Sequence, residues 1–365
     1  MTTMVSSTGA MPAEPASGWA DSAEARTVLV TGGAGYIGSQ VALLLAKAGY
    51  RVVVYDNLSS GHAWAVLDAE LVVGDLGDCQ RLAALLAGRR FDAVLHFAAH
   101  IWVAESVRAP AKYYRNNVAN ALTLFELAAA YGVRHVVFSS TAAVYGEPDR
   151  DLLDEDTALA PINPYGASKM MAERILADIA GAAAQRFAIL RYFNVAGADP
   201  QARIGEATPD NNHLVKLACE TALGLRPAMR INGTDYPTPD GTCVRDYIHV
   251  VDLARAHLAA LDHLQRGGAS TVLNCGYGHG ASVRAVLETV RRVTGVDFPI
   301  EAGPRRPGDP AVLVAGNAKI RRVLGWQPQH DDLEFIVRTA WAWERVLQER
   351  IGGAPPAGMD EPTPG

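Results

Sequence analysis

Cysteine is scarce in this chain. Its 365 residues contain four, Cys79, Cys219, Cys243 and Cys275, scattered and with no CxxC pair. That spacing excludes a disulfide framework and a thiolate zinc site, and it predicts reduced thiols in a cytoplasmic protein. A basic excess is also missing. Lys and Arg number 33 against 39 Asp and Glu, for a net charge of −6. With no basic stripe, nucleic acid is excluded as a partner. No apolar run reaches the length of a membrane span, so no membrane partner is expected. The first 25 residues lack the basic start and apolar centre of a signal peptide. They are small and polar and predict a disordered arm, as does the Gly- and Pro-rich tail 351–365. No internal repeat is visible.

The composition that remains, 49% hydrophobic and 20% charged, is that of a globular chain with ample core. Its length suits two domains or one large α/β unit. Short apolar runs alternate with helical stretches: TVLVTGG (27–33), RVVVYDN (51–57), ELVVGD (70–75), DAVLHFAA (92–99), HVVFSS (135–140) and FAILRYFNV (187–195) read as strands. Each is apolar throughout, as a parallel strand buried on both faces must be. The stretches between them, including a long one over 111–132 and another opening at Pro164, read as helices. The repeated β-α pattern predicts a doubly wound parallel sheet of the Rossmann type over 26–195. After Asn194 the rhythm breaks, and 196–350 reads as a smaller C-terminal α/β substrate domain. One strand–helix unit, taken as 242–262, is expected to return to the first domain.

The stretch TGGAGYIGS (31–39) follows the first strand and opens the first helix. Gly33, Gly35 and Gly38 give G-x-G-x-x-G, and Gly32, Gly35 and Gly38 give G-x-x-G-x-x-G. Glycines let the backbone turn tightly against a pyrophosphate, and the helix N-terminus supplies free N–H groups. Asp56 ends the second strand 18 residues past Gly38, where a carboxylate accepts from ribose hydroxyls and repels a 2′-phosphate. The cofactor expected is therefore NAD rather than NADP. Asp75, ending the third strand, reads either as an adenine contact or as a turn residue. His96 and His100 have no third ligand and read as core or loop histidines, so no metal site is expected. In NPYGASK (163–169), Tyr165 precedes Lys169 by one helical turn. Such a pair is either surface packing or acid–base chemistry, in which a nearby ammonium favours the phenolate.

Together these segments resemble the extended short-chain dehydrogenase/reductase family and, within it, the UDP-galactose (UDP-glucose) 4-epimerases. The likeness spans roughly residues 27–345 by element order. TGGAGYIGS, YDNLSSG, HFAA, YYRNNV, FSSTAAVYG, NPYGASK, LRYFNVAGA, GTDYPTPDGTCVRDYIHVVDLA (233–254) and PRRPGD (304–309) carry it, and the run DYPTPDGTCVRDYIHV is its most specific part. The resemblance implies that Tyr165 is the catalytic base, that Lys169 binds the nicotinamide ribose and, together with the oxidised nicotinamide, lowers the tyrosine pKa, and that Thr141 supplies the hydroxyl beside it. It implies a cofactor site built from Gly32, Gly35, Tyr36, Ile37, Gly38, Asp56, Asn57, Asp75, Leu76, Phe97, Ala98, Ala99, Asn117 and Tyr192. For a UDP-sugar it implies Asn194, His213, Asn232, Arg245, Arg306, Asp309 and Leu313, the arginines gripping the diphosphate. A homodimer through the helices of 111–131 and 164–183 is implied as well, with Leu122, Phe125, Met170, Met171 and Ile175 as its apolar surface.

The implied activity is NAD-dependent interconversion of UDP-glucose and UDP-galactose by oxidation and re-reduction at C4. Other UDP-sugar epimerisations, on N-acetylhexosamines or pentoses, fit the same pattern. Relatives that carry out 4,6-dehydration have an Asp-Glu pair after the threonine, where this chain has Ala142 and Ala143. A regulator that binds NAD without catalysis would not need Thr141, Tyr165 and Lys169 together. Two departures stand out. Ile101 takes the place of a lysine in the loop after the fourth strand, and Leu313 replaces a tyrosine expected to line the sugar pocket.

Overall fold

The computed structural model describes residues 26–352 except 210 and 307. The expected N-terminal arm and nearly all of the expected tail lie outside these residues. Seven strands form the main sheet: β1 (Thr27–Thr31), β2 (Arg51–Asp56), β3 (Glu70–Val73), β4 (Ala93–His96), β5 (His135–Thr141), β6 (Arg186–Tyr192) and β7 (Thr271–Cys275). Their order is β7-β6-β5-β4-β1-β2-β3, and every pairing is parallel. The parallel doubly wound sheet read from the sequence is therefore the fold observed.

Alternation along each strand builds two cores, because successive side chains point to opposite faces. Val28 and Val30 of β1 face one way, with Val52, Val54 and Leu95, onto α1 (Tyr36–Lys47). Leu29, Val53, Val94 and Val136 face the other, onto α2 (Cys79–Gly88), α3 (Asn120–Ala130) and α4 (Pro164–Ala183). All of these valines and leucines are at most 3% exposed, which is why the strands carry no polar alternation. A fifth helix, α5 (Leu214–Ala222), belongs to the smaller part of the molecule.

Two elements differ from the sequence reading. The helix expected over 111–132 is α-helical at Pro110–Tyr113, π-helical at Tyr114–Ala119, and α-helical again as α3. Wide turns of this kind gather at functional sites. The strand expected over 187–195 breaks at Phe193: β6 stops at Tyr192, and Asn194–Ala196 pairs instead with Tyr247–His249. The chain then forms α6 (Val250–Gln265), whose Leu253, Leu261 and Leu264 join the α1 side of the core, and β7, which pairs with β6. The segment rejoining the main sheet thus runs to Cys275, beyond residue 262. A four-stranded sheet, ordered 281–282, 244–245, 312–315 and 152–153, lies in the smaller part. α7 (Val283–Thr294) follows directly from 281–282, and α8 (Leu333–Gly352) packs against α7 and α5. Strand order reverses between β1 and β4, the crevice where ligands of doubly wound sheets bind.

Candidate active site

A cavity of about 480 Å³ opens at that crevice. Its floor is the turn after β1. Gly32 has φ +73°, and a Cβ there would lie 2.4 Å from the Ala98 nitrogen. A Cβ on Gly38 would lie 2.2 Å from the Gly32 carbonyl oxygen. Only glycine lets these backbones approach so closely. The turn leads into α1 through Gly35, with no side chain capping its free N–H groups. Asp56, at the end of β2, accepts from Ala34 N at 2.9 Å and Leu58 N at 2.8 Å, which fixes its carboxylate at the cavity wall. Asp75 accepts from Asn57 Nδ2 at 2.6 Å and Gly77 N at 2.7 Å. An open helix N-terminus behind a glycine turn, with a carboxylate one strand away, fits a dinucleotide with a free 2′-hydroxyl. Gly35, Tyr36, Ile37, Asn57, Asp75, Leu76, Phe97, Ala98 and Ala99 also line the cavity.

The same cavity holds the proton-transfer groups. Asn163 caps α4, its side chain accepting from Gly166 N at 2.9 Å, and so sets Tyr165 and Lys169 on the first turns. Thr141 ends β5, its hydroxyl accepts from Ala143 N at 3.2 Å, and it lines the cavity beside Tyr165. Lys169 is 3% exposed, with Nζ 4.6 Å from the centroid of the Phe138 ring. Burial pushes its pKa down to about 7, opposed by Glu173 one turn further along α4. Burial also raises the Tyr165 pKa, opposed by the Thr141 hydroxyl. In the protein by itself, desolvation thus penalises both charged forms. Tyr192 lines the cavity with its hydroxyl hydrogen-bonded to Ser139.

Behind Lys169 lies a buried ion pair. Arg191 Nη2 donates to Glu173 Oε2 at 2.6 Å and Nη1 to the Tyr145 hydroxyl at 3.1 Å. Tyr145 in turn donates to Asn274 Oδ1 at 2.7 Å. Arg191 and Glu173 are each 5% exposed.

Asn194 and His213 line the cavity too, together with a residue the sequence reading missed, Glu206. His213 Nδ1 bonds Glu206 Oε1. Glu206 sits in irregular chain seven residues before His213, where no period ties the two. Lys112 and Glu105, also missed, face each other at 2.7 Å on the wall that includes Ile101.

Other expected site residues are not on the wall. Asn117 turns inward from the π-helical segment. It donates to the His100 carbonyl at 2.9 Å and accepts from His100 N at 2.8 Å, so it braces a lining residue without being one. Arg245 is paired with Asp309 and donates to the Pro310 carbonyl at 2.8 Å. Asn232, with its amide oriented to satisfy the guanidinium, accepts from Arg306 at 3.0 and 3.1 Å. Leu313 packs with Phe193 and Met170 on the apolar cluster of Ala142, Val144, Tyr145 and Leu153. Arg245 and Asp309, and Asn232 and Arg306, are thus paired with each other in the smaller part of the molecule.

A glycine turn at the switch point of a parallel sheet, continuous with a Tyr-x-x-x-Lys pair whose lysine is buried, defines a dinucleotide-dependent enzyme of the Rossmann type. The chain belongs to the NAD dependent epimerase/dehydratase family, which residues 28–276 match. It is 56% identical over 331 residues to a UDP-glucose 4-epimerase of Azospirillum brasilense, covering 90% of this chain and 95% of that one. The UDP-glucose 4-epimerase of Brucella ovis, solved in complex with NAD, superposes with a TM-score of 0.85 at 46% identity. That match covers 87% of this chain and 98% of the other. The UDP-Glc/GlcNAc 4-epimerase of Campylobacter jejuni superposes with a TM-score of 0.79 at 47% identity, covering 88% and 99%. Among the described residues, no helix is long and apolar enough to cross a membrane.

Proposed function

We propose that the protein interconverts UDP-glucose and UDP-galactose by inverting the sugar at C4, with NAD held through turnover. The supporting observation is the single cavity that joins the glycine turn and Asp56 to Thr141, Tyr165 and Lys169. Bound NAD supplies the hydride acceptor and donor. Gly32, Gly35, Gly38 and Asp56 hold its pyrophosphate and adenosine ribose, and Lys169 its nicotinamide ribose. Tyr165 takes the proton from the sugar O4 and returns it in the second half-reaction, while Thr141 fixes the phenol and shares the O4 hydrogen bond. Asn194 and His213 orient the nucleotide.

Dehydration is disfavoured because Ala142 and Ala143 carry no proton. Ala142 is also 4% exposed and packs in the apolar cluster beside Val144 and Tyr145. We further propose a cytoplasmic homodimer. Leu122 on α3 and Met171 on α4 are exposed, at 37% and 40%, as a pairing surface requires. Phe125 is fully buried inside the protomer, and Ile175 and Met170 pack on its interior clusters, so they add little to that surface.

The test is incubation of purified protein with UDP-glucose, UDP-galactose, UDP-N-acetylglucosamine and UDP-arabinose, with no NAD added. Interconversion of the first two, with NAD and not NADP released on denaturation, is expected. A 4-keto-6-deoxy product, or strict dependence on added cofactor, would overturn the reading.

A further inference from the structure

Glu173 and Arg191 are buried charges to which proton transfer at O4 assigns no part. A buried ion pair seldom adds stability over an apolar pair of similar size, so stability alone does not account for them. Their partners point to another role. Glu173 lies one turn beyond Lys169 on α4, and its carboxylate accepts from Arg191 Nε at 3.0 and 3.2 Å and from Nη2 at 2.6 Å. It also accepts from the Ser140 hydroxyl. The strand register sets Ser140 of β5 beside Arg191 of β6, and Thr141 beside Tyr192. Thr141, Tyr192 and Lys169 all line the cavity. Each group that meets at Glu173 therefore adjoins a cavity residue, and Glu173 itself does so by one turn of the helix.

The pair is braced in turn. Arg191 donates to Tyr145, Tyr145 donates to Asn274 of β7, and Asn274 Nδ2 donates to the Leu153 carbonyl at 2.8 Å. Four neighbouring elements thus hold the guanidinium and, through it, the carboxylate. We propose that Glu173 is a positioning residue for proton transfer: it ties the ends of β5 and β6 to α4, and its charge keeps Lys169 an ammonium one turn from Tyr165. The inference rests on the function proposed above, in which Tyr165 is the base.

The groups around Lys169 leave this task to Glu173. His96 of β4 is pushed down to about 3 by burial and by Lys169 itself, and is neutral. The Tyr113, Tyr165 and Tyr192 phenols are raised by burial and stay protonated. Lys112 is paired with Glu105. Asp56, Asp75, Glu105 and Glu206 line the cavity, yet the carboxylate that offsets the burial of Lys169 is Glu173. Lys169 is an ammonium below about 7 and loses its proton as pH rises through that value. Without the Glu173 charge, the loss comes at lower pH. The Tyr165 phenolate, which forms as pH rises, must then form beside a neutral amine, and its pKa climbs.

The experiment measures kcat with UDP-galactose against pH in wild type, Glu173→Gln, Glu173→Leu/Arg191→Met and Lys169→Met. The phenolate absorbance of each NAD-loaded protein, taken as the difference from its Tyr165→Phe counterpart, follows the tyrosine directly. In Glu173→Gln and in Glu173→Leu/Arg191→Met, the rise in kcat and the Tyr165 titration should both move about one pH unit to the alkaline side, which cuts kcat near neutral pH about tenfold. Glu173→Leu/Arg191→Met should show this shift even though it melts closer to wild type than Glu173→Leu alone. In a Lys169→Met background, the same two substitutions should move the titration no further, because the charge they act through is gone. An unshifted Tyr165 titration in Glu173→Leu/Arg191→Met would mark the pair as structural support only and overturn the inference, as would a further shift in the Lys169→Met background. If wild type does not interconvert UDP-glucose and UDP-galactose, the proposed function fails instead.

Discussion

Tyr165 and Lys169 carry the residue-scale argument. Burial raises the phenol and lowers the ammonium, so both charged forms are disfavoured in this structure. Tyr165→Phe is expected to cut kcat by about 10²–10⁴-fold, the contribution of a general base, while UDP still binds. Near-wild-type turnover would remove Tyr165 from the mechanism. Because the base must be the phenolate, kcat should rise with pH, and Lys169→Met should move that rise to more alkaline pH. A profile unchanged in Lys169→Met would refute the electrostatic role of the lysine. The Arg191–Glu173 pair beneath them makes a separate prediction, on stability. Replacing Glu173 by Leu leaves a buried guanidinium without its partner, at a cost of about 3–5 kcal/mol. The double variant Glu173→Leu/Arg191→Met removes both charges and should melt closer to wild type than the single variant. If the single variant melts like wild type, the pair is not the structural support described.

Among the elements, α4 makes the sharpest case. Its first turn holds Tyr165, its second holds Lys169, and Asn163 fixes where it starts. Asn163→Ala should cost about 1 kcal/mol of stability and lower kcat as the first turn frays. Retained kcat in a destabilised variant would show that the cap does not position the tyrosine. This helix, the glycine turn and the first six strands were legible because their signals are local: apolar runs, a proline at a helix start, glycines behind a strand. The π-helical turn was not legible, since Asn117 is pulled inward by His100, which is distant in sequence. Nor was the break at Phe193, where an apolar run continues but its hydrogen bonds pass to Tyr247–His249. Glu206 was invisible for a related reason: its partner lies across irregular chain. Asn232, Arg245, Arg306 and Asp309 were read as contacts of the nucleotide; in this structure they also pair with one another, and a motif does not reveal such pairing.

On the scale of the whole molecule, the apolar surface of α3 and α4 predicts association. Light scattering at micromolar concentration should give twice the chain mass, and Leu122→Glu/Met171→Glu should give a monomer. A monomeric wild type would end that reading. The break at Phe193 has a consequence for how this molecule can be divided. The chain leaves the main sheet after Tyr192 and returns to it as β7, with α6 covering the α1 face, so the sheet is finished only by residues 250–275. A gene fragment encoding 26–196 would therefore leave β6 as a raw edge, and unpaired strand edges recruit other chains. Such a fragment should aggregate when expressed alone, whereas coexpression with 197–352 should rescue it as a nicked but assembled protein. The NAD-binding half is thus not a transplantable module: a recombination event that exchanged substrate specificity at residue 196 would also remove the last strand of the cofactor domain.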